Sequence, residues 1–385
     1  MIGFFTAPRF VFGTGALEQL SGLDARRPAV IVASHLAADT RTARVVEELA
    51  KRETSVALLT APDGPASPAS AGALAAQVRE RGPDWIVAVG GGRVLDLARA
   101  AWLLYERPEL ELATVGPLTE LGLRAKARFV AVPTTSGAGA ESSPTVRLWN
   151  PDGSVLRASS RELVPDWAIL DAAWPLSQPK EVTADAAAEA LGHALEALVS
   201  AWTNPLSEAL AREATAELVR ALPRLAREPE DLELRGAVHH AAAMAGLAAA
   251  NGQDGAAAAL AEALAPGLGL SYGRCLGILL PFVVEFNYPS ARDRYQALGP
   301  LLADGGSIAH RSDLPRRLRA VLEPLGIPAS FAAAGVPPAR LEEALAAALP
   351  RAERNGAALA NPRVPSSTEW AELARAAFHG RAVGF

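Results

Sequence analysis

Val89-Gly90-Gly91-Gly92-Arg93-Val94-Leu95-Asp96 is the stretch on which the fold turns. It follows an apolar run, 85–89, of the kind that forms a buried strand, and it opens a helical pattern over 95–104. Three successive glycines allow a tight strand-to-helix turn with bare backbone N–H groups. A helix N-terminus adds about half a positive charge. Together these make an anion site suited to a pyrophosphate. The G-x-G-x-x-G spacing of the usual dinucleotide fingerprint is missing. A glycine turn can also serve only to let a helix pack on a sheet, but the strand before it and the helix after it favour the nucleotide reading.

Working outward, the neighbouring segments alternate in the same way. Short apolar runs at 29–33, 55–59 and 129–132 read as strands, and 41–51 and 68–81 read as helices, the latter with Ser67 or Ser70 near its start. Strand, helix, strand at this spacing implies a parallel sheet with helices on its faces. A second loop, Pro133-Thr134-Thr135-Ser136-Gly137-Ala138-Gly139-Ala140-Glu141, follows the strand at 129–132. Its hydroxyls and glycines stand where open α/β sheets bind ligands, although alone it would pass for an ordinary polar loop. Beyond about residue 184 the chain is rich in Ala, Leu, Glu and Arg. Helices are expected at 184–202, 206–227, 231–250, 256–265, 290–303, 313–324, 338–349 and 367–379. The fold class expected is an α/β N-terminal nucleotide-binding domain (parallel sheet, Rossmann-like) over 1–180, followed by an all-α C-terminal domain over 181–385.

Composition narrows the function. The 385 residues are 50% apolar and 21% charged, which suits a globular protein with a sizeable core. A net charge of -5 weighs against a nucleic-acid partner. The single cysteine, Cys275, leaves no intrachain disulfide framework, so a cytoplasmic setting is expected. No apolar run reaches the roughly 18 residues a spanning helix needs. The start, Met1-Ile2-Gly3-Phe4-Phe5, lacks the basic region of a signal peptide. No membrane partner is therefore expected.

One helical segment carries a possible metal pair. Glu189 and His193 are four apart and share a helix face, a spacing that suits two ligands of one ion. The same spacing serves a plain carboxylate–imidazole hydrogen bond. The six histidines do not supply an evident third ligand, since His239 and His240 point about 100° apart on a helix.

Taken in this order, the glycine turn, the Thr-Thr loop and the Glu189/His193 helix resemble the iron-containing (group III) alcohol dehydrogenases over nearly the whole length. Phe10-Val11-Phe12-Gly13-Thr14-Gly15 resembles that family's opening β-hairpin, and Leu163 to Asp171 the strand closing its first domain. Gly273, the segment Ile278 to Asn287, and Asn361-Pro362-Arg363 match later motifs. The resemblance implies hydride transfer between NAD or NADP and a small-molecule alcohol or aldehyde, by a protein that assembles as a homo-oligomer. It implies Gly90, Gly91, Gly92, Asp96, Thr134, Thr135, Gly137 and Leu176 as cofactor-facing residues; Ser34 and His35, which stand where the family often has an acid, and Arg93, which replaces a usual small residue, are further cofactor-binding candidates. It also implies a divalent metal, Fe, Zn or Mn, acting as a Lewis acid.

The chain departs from the family's pattern at the metal. Of the family's four ligands, the Asp becomes Glu189, one His is kept as His193, and the others become Ala258 and Tyr272, while a further family histidine becomes Glu262. A makeshift site would consist of Glu189, His193 and Glu262. Without a metal, the Tyr272 phenol is the candidate to stabilise the substrate oxygen. The family's acid after the second strand is also missing from Ala33-Ser34-His35, which makes NADP at least as well suited as NAD. Two readings of function follow: an NAD(P)-dependent alcohol dehydrogenase or aldehyde reductase, or a nucleotide-binding homologue that has lost that activity or catalyses another reaction.

Overall fold

The computed structural model describes residues 5–13, 15–52, 54–302 and 305–384. The chain divides into two compact units, one over Thr6–Pro175 and one from Leu176 onward. The first contains β1 (Arg9–Phe12), β2 (Pro28–Ala33), α1 (Thr40–Ala50), β3 (Ala57–Ala61), α2 (Pro68–Arg81), β4 (Trp85–Gly90), α3 (Gly92–Glu106), β5 (Arg128–Pro133), β6 (Thr145–Trp149), β7 (Val155–Ser159) and β8 (Trp167–Leu170). Six of the strands form one parallel sheet in the order β1-β8-β5-β4-β2-β3. Every residue of β2 and β4 is buried, as expected where both faces of a parallel sheet are covered. From β2 the chain crosses to β3 on one side and then returns to β4 on the other. The strand order therefore reverses between β2 and β4, the place where such sheets bind ligands at their carboxyl ends.

Local signals set several boundaries. Ser67 caps α2 by accepting from Ser70 N, Ser70 Oγ accepts from Ser67 N in return, and Pro68 stands at the first helical position. Three expectations need correction. The third strand runs two residues later than 55–59, because its register against β2 pairs Ala57 with Ala29 and Ala61 with Ala33. Among the described residues the opening segment forms no hairpin: Arg9–Phe12 lies parallel to β8 from Arg9↔Trp167 to Phe12↔Leu170, and Thr14 falls outside the described residues. An antiparallel hairpin, β6 with β7, was not expected at all. Arg99, fully buried on α3, anchors it by donating to the carbonyls of Ser143 and Thr145.

The second unit contains α4 (Lys180–Val199), α5 (Pro205–Leu225), α6 (Leu232–Gly252), α7 (Ala256–Leu268), α8 (Tyr272–Gln296), α9 (Asp313–Leu322), α10 (Pro338–Glu353), α11 (Gly356–Ala360) and α12 (Ser367–His379). Helix α4 is its centre and packs against α5, α6 and α8. Small residues allow the close approach: a Cβ on Gly192 would lie 2.6 Å from Leu276 Cδ2. The helix expected at 290–303 is instead the tail of α8. That helix holds Pro281 and Pro289 and bends at Ala291, where φ is -127° and ψ 21°. Cys275 sits in this core with no exposed surface. Among the described residues no helix is long and apolar enough to cross a membrane.

Candidate active site

In the first unit the structure brings the glycine turn and the Thr-Thr loop together. Thr134 N donates to Gly90 O at 3.0 Å. A Cβ on Gly91 would lie 3.0 Å from Thr135 Cγ2, and one on Gly92 would lie 2.5 Å from Ala138 Cβ. A side chain at Gly92 would collide with the facing loop, and one at Gly91 would press on the Thr135 side chain. Gly91 is the N-cap of α3 and no side chain caps it. A bare helix start in a glycine cradle, at the sheet's switch point, fits a dinucleotide's diphosphate. Gly137 is buried in the same loop, directly after Ser136.

Two residues of the turn face other partners. Asp96 is only 6% exposed, and its carboxylate accepts from Arg99 Nη2 at 2.5 Å. Arg93 Nη1 donates to Pro62 O at 2.8 Å and Gly64 O at 2.9 Å, which fastens the loop after β3 to the start of α3. Both side chains therefore hold the turn in shape. That loop carries Asp63, whose Oδ1 accepts from Ser34 Oγ at 2.5 Å. An acid does stand beside Ser34, delivered from the adjacent strand rather than from the end of β2. His35 is exposed on the short turn Ser34–Leu36, and Leu176 is half-buried on the turn Pro175–Ser177.

In the helical unit, His193 is buried on α4 with Nδ1 2.7 Å from Asp254 Oδ1. Asp254 follows Gln253, whose φ of 74° is in the left-handed region that disfavours side chains. The start of α7 is then clamped by side chains. Ala256 N donates to Asn361 Oδ1 at 3.1 Å, Ala257 N to Glu196 Oε1 at 2.6 Å and Ala258 N to Glu196 Oε2 at 3.2 Å. Burial and the neighbouring Asp254 charge push the Glu196 carboxyl up to about 7, against the opposing pull of those N–H groups. Asn287 and Asn361 exchange side-chain amide hydrogen bonds at 2.7 and 3.0 Å.

Tyr272 is the first residue of α8 and is half-buried. Ser271 Oγ donates to Asp185 Oδ2 at 2.5 Å, and Arg274 Nε donates to Asp185 Oδ1 at 3.0 Å, so both neighbours of the Tyr272–Gly273 step are tied to α4. A Cβ on Gly273 would lie 2.3 Å from Asp185 O, so only glycine lets α8 start this close to α4.

The makeshift metal set does not assemble. Among the described residues no three His, Cys, Asp or Glu side chains come together as ligands. His193 Nδ1 faces Asp254, and Glu262 Oε1 accepts from Asn355 Nδ2 at 3.3 Å. Glu189 Oε1 lies at the α8 start, 3.0 Å from where a Gly273 Cβ would be. Ala258 offers no donor atom in its side chain. Sequence reasoning missed Asp63, Asp254 and Glu196. Glu196 lies three residues beyond His193 on the same helix, and Asp63 is found by asking which acid follows the strand beside β2.

Comparison with known proteins agrees with this architecture. Residues 7–172 match the family described as "Iron-containing alcohol dehydrogenase", and residues 183–378 match "Fe-containing alcohol dehydrogenase family, C-terminal". The chain is 26% identical to the NADPH-dependent butanol dehydrogenase of Clostridium saccharobutylicum, covering 99% of each. It is 37% identical over 216 residues to aldehyde-alcohol dehydrogenase 2 of Entamoeba histolytica, matching 54% of this chain and only 25% of that longer protein. The solved iron-containing alcohol dehydrogenase of Thermococcus thioreducens superposes with a TM-score of 0.88 at 28% identity, over 98% of this chain and all of that one. The chain belongs to the iron-containing alcohol dehydrogenase family, oxidoreductases that act on alcohols.

Proposed function

We propose that this protein interconverts an alcohol and an aldehyde with a nicotinamide dinucleotide. The observation that carries the reading is the uncapped start of α3, held in a glycine cradle at the sheet's switch point. A bound nicotinamide would accept a hydride from the alcohol carbon or return one to the aldehyde carbon. The backbone N–H groups at the start of α3 hold the diphosphate, and Thr135 closes the loop over it. Arg93 keeps the loop after β3 in place, so that Asp63 and Ser34 together face the ribose.

With Ala258 and Tyr272 at two of the family's ligand positions, the substrate oxygen is assigned to a side chain of this protein. The Tyr272 phenol holds the substrate oxygen by donating a hydrogen bond. As the aldehyde is reduced, the phenol gives its proton to that oxygen and regains one from solvent. The Asp185 ties at Ser271 and Arg274 fix where this side chain starts.

The test is to measure NADH and NADPH binding by fluorescence, and turnover with a panel of aldehydes. Tyr272→Phe is expected to lower kcat at least tenfold while leaving cofactor affinity within twofold. Unchanged kcat would remove Tyr272 from this role. Tight cofactor binding without turnover of any aldehyde would overturn the dehydrogenase reading.

A further inference from the structure

The strands of the sheet also have amino ends, and these carry a second feature. The segments entering β2, β3, β4 and β5 surround an open cavity of about 790 Å³. Six cations line it: Arg26, Arg27, Arg52, Arg124, Lys126 and Arg128. Among the described lining residues only Asp24 and Asp84 oppose them. Both carboxylates have local work. Asp84 accepts the backbone N–H groups of Arg26 and Arg27 at 2.8 and 2.9 Å, and Asp24 accepts the Trp85 indole N–H at 3.0 Å. A chain with a net charge of -5 thus concentrates positive charge in one bowl.

The cations differ in their freedom. Arg124 is held by Asp166 Oδ1 at 2.8 Å, and Lys126 Nζ by the carbonyls of Tyr105 and Glu106 at 2.6 and 3.0 Å. Both side chains are fixed in place, the Arg124 charge being matched by Asp166. Arg26, Arg52 and Arg128 are exposed. Arg52 uses only Nε, donating to Ser21 O at 3.0 Å, and Arg128 lies 5.5 Å over the Trp85 ring.

We propose that this bowl is a second ligand site, which binds a small compound carrying two or more phosphate groups. Guanidinium forks match phosphate oxygens in pairs, and the cations are spread over the entrances to four strands, more than one phosphate can reach. The volume is that of a small-molecule site, which generally spans about 300–1,000 Å³. Trp85 is 4% exposed and covered by Arg128, so no open aromatic face awaits a base, and recognition rests on the phosphates. The six residues of β4 separate the bowl from the glycine turn by roughly 20 Å at about 3.3 Å per residue. The two sites are therefore filled independently.

Calorimetry on the full chain with inorganic tripolyphosphate tests this. Saturable binding near one per chain is expected, unaffected by saturating NADH. Replacing Arg26, Arg52 and Arg128 together by serine should raise Kd at least tenfold, with the melting temperature confirming that the variant is folded. Arg128→Lys, which keeps the charge but not the fork, should give an intermediate Kd. Absence of saturable heat at 50 mM salt, an unaltered Kd in the triple variant, or displacement by NADH would each overturn the proposal. Displacement would place the probe at the glycine turn instead.

Discussion

Ser34 shows how one lost carboxylate can be made good by a neighbour. No acid ends β2, but Asp63, 29 residues away, reaches Ser34 from the adjacent strand end and accepts a 2.5 Å hydrogen bond from its hydroxyl. On the proposed placement of the ribose at Ser34, a carboxylate there would accept its 2′-hydroxyl and repel a 2′-phosphate, a preference for NAD opposite to the NADP that the missing β2 acid left open. A hydrogen bond to a charged group contributes about 1.5–3 kcal/mol. Asp63→Ser is therefore expected to move the ratio of kcat/KM for NADPH over NADH upward by at least tenfold. A ratio that stays put would show that Asp63 does not face the ribose. Nothing near Ser34 announces this pair in the sequence; only the register Ala33↔Ala61 brings the two strand ends side by side.

At the scale of an element, the first turn of α7 carries an acid–base consequence. Glu196 holds its proton in the folded chain up to about 7, whereas its ordinary value is 4.5. The unfolded chain gives up that proton first. The stability linked to this group is thus fully present below 4.5, declines as pH rises toward 7, and is level above that. The decline amounts to something on the order of 3 kcal/mol. Thermal melts of the wild type between pH 5 and 8 should show a fall that flattens near neutrality. Glu196→Gln keeps an acceptor for the N–H groups of Ala257 and Ala258, and its melts should lose most of that slope. An identical slope in the variant would place the titration elsewhere.

Over the whole molecule, the α/β half was the more legible because its signals are local. The apolar runs of β2, β4 and β5, the Ser67 cap and the glycine turn each announce themselves within a few residues. The β6–β7 hairpin did not, because its strands alternate in burial and its anchor, Arg99, lies over forty residues upstream. Helix α8 was only half legible, as the stretch 290–303; Pro281 and Pro289 each remove a helical hydrogen bond, yet packing against α4 carries the helix through both. The candidate site divided in the same way. The positions of Gly91, Gly92 and Thr135 were readable, whereas the partners of Arg93, Asp96 and His193 depend on contacts between distant segments.

The lone thiol on α8 has a practical consequence. Burial pushes the Cys275 thiol far above its ordinary value, so the folded chain offers an alkylating reagent no thiolate. Modification must wait for α8 to come away from its neighbours, and the labelling rate becomes a clock for that opening. No other cysteine competes for the reagent. Iodoacetamide should leave the native protein unlabelled over minutes and modify it stoichiometrically in denaturant; rapid native labelling would contradict the packing around α8.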